Sequence, residues 1–241
     1  MNDFTDKVTE LIKRIDAEEN SNISSAGKIM FNSIINKKIV HVFATGHSHM
    51  FCEELFYRAG GLVQINPILI PELMQHEGAV SSTIKERESG RAQKIFKDLD
   101  IQDGDSFIIV SNSGINSVPV EMAQLVKENN IPLIVITSMD MTNKVNPRNK
   151  FNKKLYEFGD VVIDNKAPYG DGVIEKPYAR VGAVSSIMGS YIAQRLVLEV
   201  VKQFEDCGKV PPIYLSANTP DGDEHNKELY EEYKKRIKCL Y

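Results

Sequence analysis

Cysteine is scarce in this chain: Cys52, Cys207 and Cys239 are far apart, odd in number, and form neither a C-x-x-C pair nor a zinc-ligand spacing. A disulfide scaffold and a structural zinc site are therefore excluded, and reduced thiols in a cytoplasm are expected. Cys52 stands near the start of a predicted helix, where a thiolate is stabilised, but the plainer reading is an inert buried thiol. Long apolar runs are missing too, none approaching the roughly 20 residues that span a bilayer. The start, MNDFTDKVTELIKRI, mixes charges into an amphipathic pattern and lacks the apolar core of a signal peptide. There is no excess of positive charge: 29 Lys and Arg against 33 Asp and Glu leave a formal charge of −4. That balance, with no helix-turn-helix or basic segment, argues against nucleic acid as a partner. Also absent are a Walker lysine, G-x-G-x-x-G, H-E-x-x-H and G-x-S-x-G. Nucleotide hydrolysis, dinucleotide redox chemistry, zincin and serine-hydrolase chemistry lose their support with them. No internal repeat or low-complexity tract is found.

What is present is organised around Asp105 to Glu121, DSFIIVSNSGINSVPVE. An apolar run ends abruptly at Ser111, and the next seven residues, SNSGINS, hold three serines, two asparagines and one glycine. This is the pattern of strand, tight polar loop and helix. Gly114 lets the backbone turn back, so that main-chain N–H groups converge beside the hydroxyls of Ser111, Ser113 and Ser117 and the amides of Asn112 and Asn116. The helix from Val118 turns its unpaired N–H groups and positive end to the same spot, and Pro119 fits its first turn. Such a loop is a neutral anion cradle suited to a phosphate monoester; it is equally an ordinary βα turn whose polar residues cap a helix.

The remainder alternates in the same way. Phe4, Val8, Leu11, Ile12 and Ile15 share one helical face, and Ile23, Ala26, Ile29, Met30, Ile34 and Ile35 share another, giving an N-terminal helix pair over residues 1–36. Ile39 to Thr45 reads as a strand leading through Gly46-His47-Ser48-His49 into a helix, MFCEELFYRAGG, closed by Gly60 and Gly61. His47 and His49 flank that turn, where they could titrate near a ligand, although a lone loop histidine is more often solvated. Further strands are expected at Leu62 to Leu69, Phe107 to Val110, Ile131 to Ser138 and Val161 to Ile163, with helices at Arg91 to Leu99 and Val118 to Asn129. Short apolar strands alternating with helices predict an α/β chain with a parallel sheet and right-handed crossovers. Ligands bind such sheets beyond the carboxyl ends of the strands, where strand order reverses, which is where Gly46 to Ser48 and Ser111 to Ser117 fall.

Between them, residues 70–90 form an irregular polar connection of the functional or mobile kind. Glu72 and His76 share a face if it is helical. Asp164 to Gly182 is a second irregular stretch, followed by a long helix, Ala183 to Phe204, opened by Ser185 and Ser186. A Pro-rich arm and a helix from about Glu224, with His225 at its start, occupy residues 209–241.

A strand ending in G-x-S (Gly46, Ser48), another ending in S-x-S-G (Ser111, Ser113, Gly114) and a long helix opened by Ser185 and Ser186 together resemble the SIS, or sugar isomerase, domain. The resemblance covers about residues 30–205; the N-terminal helix pair, HEGA at His76 to Ala79 and DEHN at Asp223 to Asn226 extend it to a group related to phosphoheptose isomerases. It implies one domain over residues 1–241 with a flavodoxin-like, doubly wound five-stranded parallel sheet flanked by helices. It also implies homodimers or homotetramers, and a phosphosugar whose phosphate sits on Ser48, Ser111, Ser113 and the SNSGINS backbone. Ala44 and Asn116 depart from the family pattern, in which a glycine and a threonine or serine are usual. Isomerisation through an enediol needs a base for the C2 proton and a second group for the O1 or O2 proton. Glu72 or Glu77 is the candidate base and His76 or His225 the candidate shuttle, with Glu72 and His225 preferred. No redox cofactor is needed and no metal-ligand spacing is seen. A non-catalytic phosphosugar sensor and a sugar-phosphate ether lyase are the alternatives.

Overall fold

The structure is a computed structural model that describes residues 2–241. Five strands form one parallel sheet: β1 (Val40–Ala44), β2 (Ile65–Ile68), β3 (Ser106–Val110), β4 (Leu133–Thr137) and β5 (Val161–Asp164), in the order β2-β1-β3-β4-β5. The chain leaves β1 for β2 on one side and then crosses back over β1 to β3. Strand order therefore reverses between β1 and β3, and their carboxyl-end loops lie side by side. Pro67 sits on β2, an edge strand, where a missing N–H costs the ladder nothing.

Alternation within the strands divides the core. On β3, Ile108 and Val110 face one side while Phe107 and Ile109 face the other, and on β4 Ile134 and Ile136 oppose Leu133 and Val135. The first face packs against α1 (Asn2–Glu18), α2 (Asn20–Ile35), α3 (His49–Leu55) and α8 (Ser185–Asp206), through Ile15, Ile23, Met30, Phe51 and Met188 among others. The second packs against α5 (Arg91–Lys97) and α6 (Ser117–Glu128), through Ile95, Val118, Met122 and Val126. Each fully buried aliphatic or aromatic side chain contributes roughly 1.5–3 kcal/mol, so these two layers carry most of the fold. Between α3 and α5, residues 71–77 form two short 3₁₀ turns that lead into α4 (Ala79–Glu86), and α7 (Met139–Asn143) follows β4.

Two expectations need correction. The helix after β1 stops at Leu55 and does not run to the glycine pair. Phe56 is extended, and residues 57–61 turn to receive the C-terminal arm. Gly60 donates its N–H to the Tyr214 carbonyl at 2.8 Å, and the Tyr214 N–H donates to Gly61 at 3.0 Å. The stretch Asp164 to Gly182 is not irregular throughout: β6 (Gly172–Glu175) and β7 (Arg180–Ala183) form an antiparallel hairpin. The Lys176 N–H closes its turn on the Ala179 carbonyl at 3.0 Å around Pro177 and Tyr178. Cys52, by contrast, is the inert buried thiol that the sequence favours: it is fully buried, and burial pushes its thiol well above the usual range.

The C-terminal segment, with α9 (Gly222–Glu231), packs at the amino ends of the strands. A buried polar chain fastens it. The Asn66 amide donates to His41 Nδ1 at 2.9 Å, His41 Nε2 donates to Asp105 at 3.1 Å, and Arg236 Nη2 donates to the same carboxylate oxygen at 2.6 Å. Among the described residues no helix is long and apolar enough to cross a membrane.

Candidate functional site at the carboxyl ends of β1 and β3

Beyond β1, Gly46 takes φ +56° and begins a 3₁₀ turn, Gly46–Ser48, that runs directly into α3. Beyond β3, Gly114 takes φ +62°, and a Cβ there would meet Thr137 Oγ1 at 3.1 Å and Leu155 Cβ at 3.3 Å. Both conformation and space demand glycine at this second turn. Ser111 closes it: its Oγ accepts the Gly114 N–H at 3.2 Å, and its carbonyl accepts the Thr137 hydroxyl at 2.7 Å. Ser111 is thus a buried brace of the loop, whereas Ser113 is half-buried and makes no side-chain hydrogen bond among the described residues.

α6 starts without a side-chain cap, which leaves first-turn N–H groups for a ligand. Asn116, at its N-cap position, donates instead to Glu86 at 2.8 Å, and its Oδ1 is buried without a partner. The Ser117 hydroxyl, expected to face an anion, donates inward to the Arg148 carbonyl at 3.1 Å. At α8 the opposite holds. Asp171 accepts the backbone N–H groups of Val184 at 3.1 Å and Ser185 at 2.7 Å, and the Ser185 hydroxyl at 2.7 Å. A carboxylate of the chain itself therefore answers the positive end of that helix. Ser185 is committed to it, while Ser186 remains.

Between these loops lies a pocket lined by Ser48, Asn112, Asn165, Ser185, Ser186 and Ser190, with Phe51, Val110 and Ile136 as its apolar wall. Its lining holds no lysine, arginine or carboxylate among the described residues. Asn165 and Ser190 were not singled out from sequence. Ser190 follows Ser186 by one helical turn, a spacing that was legible; Asn165 directly follows the fifth strand, the position that marks every other loop of the site.

His49 departs from the expectation of a solvated loop histidine. It is not solvated but 3% exposed. Its Nδ1 faces the Gly46 carbonyl at 3.1 Å and must be the protonated nitrogen, so Nε2 carries the lone pair, buried and without a partner. Burial pushes its pKa down, opposed by the Gly46 hydrogen bond and assisted by nearby His76. His47 is exposed.

The four acid/base candidates are scattered. Glu72 and His76 lie on separate 3₁₀ turns with Met74 extended between them, so they share no helical face. Glu72 pairs with Arg91 and, at 3.5 Å, with Lys85. Burial favours its neutral form, but the Arg91 and Lys85 partners outweigh it and hold the carboxyl below its usual range, which weakens it as a base. It lines a neighbouring groove with Asn66, Lys94 and Arg236. His76 and Glu77 face each other at 3.8 Å, both exposed, on the turn whose Gln75 amide lies beside Gly46 of the β1 loop, and neither lines the pocket. His225 donates to the Ile213 carbonyl at 3.0 Å, and Ile213 pairs with Leu62 ahead of β2. It therefore stands at the amino-terminal end of the sheet, opposite the pocket of its own chain. No cluster of three or more His, Cys, Asp or Glu residues suited to a metal occurs among the described residues.

The family model described as SIS domain matches residues 3–138. UPF0309 proteins of Listeria innocua and Geobacillus kaustophilus are 36% and 38% identical, each covering 100% of this chain, which spans 98% and 96% of their lengths. The fold is similar to a phosphoheptose isomerase from Francisella tularensis, with TM-score 0.54 and 14% identity over 83% of this chain and 96% of that one. It is also similar to the phosphoheptose isomerase GmhA from Neisseria gonorrhoeae, with TM-score 0.53 and 12% identity over 82% and 95%.

Proposed function

Because the chain belongs to the SIS domain family, we propose that it binds a phosphorylated sugar beyond β1 and β3 and interconverts its aldose and ketose forms, as one SIS-type domain over residues 1–241. The observation that carries the reading is the meeting of two glycine-turned loops and the uncapped start of α6 at the point of strand reversal, beside a pocket of hydroxyls and amides. Neutral donors and a helix end are what a phosphate dianion takes in place of a cation.

For the enediol step the base is Glu77 and the shuttle His76. They form the one carboxylate–imidazole pair among the four candidates, and the Gln75 amide on their turn lies beside Gly46 of the β1 loop. Glu77 takes the C2 proton to give the enediol and returns it to C1, while His76 carries the O2 proton to O1, so the sum is an isomerisation with no redox partner. Glu72 stays an ion-pair partner of Arg91. His225 serves a pocket only if it belongs to another subunit of a homodimer or homotetramer. A second reading, a phosphosugar sensor without turnover, is favoured by the lack of any carboxylate in the pocket lining.

The test is a thermal-shift screen against pentose, hexose, heptose and amino-sugar phosphates, repeated with Ser48→Ala, followed by product analysis with Glu77→Gln. Stabilisation that is lost in Ser48→Ala supports the pocket. Turnover abolished in Glu77→Gln with binding retained supports the isomerase. Binding without turnover in the wild type establishes the sensor, and an eliminated sugar ether marks a lyase.

A further inference from the structure

The orientation of an amide is ordinarily ambiguous, because its oxygen and nitrogen have the same shape. At Asn165 the backbone removes the ambiguity. This side chain is 3% exposed, and the Ala167 backbone N–H, which can only donate, lies 3.0 Å from one end of its amide. That end is therefore Oδ1, and the other is the Nδ2 donor. Nδ2 lies 3.0 Å from the Asn112 amide, whose facing atom must accept and is therefore Oδ1. Asn112 is left with its own Nδ2 as the free end, and Asn112 lines the pocket. Its main chain is fixed as well, since its carbonyl accepts the Ser138 N–H at 3.1 Å and the Thr137 hydroxyl at 3.3 Å.

We infer that Asn165 is a positioning residue: by holding Asn112 Oδ1 it makes the pocket present an N–H donor, and never a carbonyl, to an acceptor oxygen of the ligand. Phosphate oxygens and the carbonyl of an open-chain sugar are acceptors of that kind. The inference rests on the phosphosugar reading of the pocket and adds the polarity of one of its walls. A chain with aspartate at 165 would keep the Ala167 contact, because a carboxylate also accepts. Its second oxygen would then draw Asn112 Nδ2 inward and turn Asn112 Oδ1 towards the ligand, replacing an attraction by a repulsion.

The experiment is a double-mutant cycle on the full chain with Asn165→Asp, Asn112→Ala and the pair. The probes are inorganic phosphate and the pentose, hexose and heptose phosphates, with side-chain amide NMR on ¹⁵N-labelled protein. The expected result is a Kd raised about tenfold or more by Asn165→Asp, raised similarly by Asn112→Ala, and raised less than about twofold by Asn165→Asp once Asn112 is alanine. Ligand should shift the Asn112 amide protons of the wild type, and in Asn165→Asp those protons should exchange more slowly with water. Wild-type affinity in Asn165→Asp overturns the inference. So does a full loss that persists in the Asn112→Ala background, which would mean loop damage or simple charge repulsion. If no probe binds the wild type, the phosphosugar reading fails and the inference falls with it; binding that ignores Asn165 sinks the inference alone.

Discussion

His49 shows how one side chain in this loop acquires chemical character from its surroundings. Its Nδ1 proton is spent on the Gly46 carbonyl and its Nε2 is buried without a partner, so the imidazole is kept neutral. The folded-state pKa lies below the ordinary 6.5, so the unfolded chain binds the proton more readily. Stability from this group is complete above about pH 6.5 and is lost as pH falls through the folded pKa. Denaturant unfolding at pH 7, 6 and 5 should therefore show a decline that His49→Gln flattens, since glutamine keeps a donor for Gly46 but takes up no proton. An unchanged slope in the variant would place the acid sensitivity elsewhere. Gly114 makes the companion case for backbone. An alanine there adopts φ +62° at a cost of about 1–2 kcal/mol, and its Cβ crowds Thr137 and Leu155. Gly114→Ala should lower Tm by several degrees at the 2–4 °C per kcal/mol expected for this length. An unchanged Tm would mean that the loop has slack to absorb a methyl group.

At the scale of elements, a buried long-range tie holds the C-terminal segment. Burial would raise the Asp105 pKa, yet hydrogen bonds from His41 and Arg236 and from the N–H groups of Ile39 and Gln102 prevail and bring it down to about 2. Stability from this carboxylate is present above its ordinary 3.8 and is lost as pH falls towards 2, a contribution on the order of 2 kcal/mol. Arg236→Ala removes one partner from a buried carboxylate and should cost about 3 kcal/mol, with limited proteolysis then cutting between residues 209 and 241 first. Resistance equal to the wild type would show that the apolar contacts of Tyr214, Tyr233 and Ile237 suffice. No sequence pattern announces this tie, because His41, Asp105 and Arg236 are far apart in the chain. What periodicity did reveal is the sheet: strands covered on both faces are mostly apolar, and β1, β3, β4 and β5 read that way. Gly46, Ser48 and Ser111 to Asn116 were legible as loops for the same reason, each following an apolar run that stops. The partners of their side chains were not. Ser117 bonds Arg148 and Ser185 bonds Asp171, choices made by tertiary packing. The end of α3 was misread because glycines at 60 and 61 look like a helix stop, whereas the chain had already turned to meet Tyr214.

Considered whole, the molecule carries a formal charge of −4, and the proposed ligand carries close to two negative charges. Long-range electrostatics therefore oppose their encounter, and no lysine or arginine in the pocket lining offsets this. The attraction has to come from short-range dipoles, namely the uncapped first turn of α6 and the hydroxyl and amide donors of Ser48, Asn112 and Ser186. Such donors act at hydrogen-bond distance, well inside the roughly 8–10 Å Debye length of ordinary buffers, and salt screens them little. Long-range repulsion, by contrast, is screened. Raising salt from about 50 mM to about 500 mM should therefore leave phosphosugar affinity unchanged or improve it slightly, where a site built on lysine and arginine would weaken steeply. The same ligand at one hundred times its Kd adds about 2.7 kcal/mol to stability, enough to raise Tm by roughly 5–10 °C at either salt. Calorimetric titration across that range decides the matter. A tenfold loss of affinity would mean that a cation completes the site, and the nearest source would then be another subunit reaching into the pocket, since no lysine or arginine among the described residues lines it.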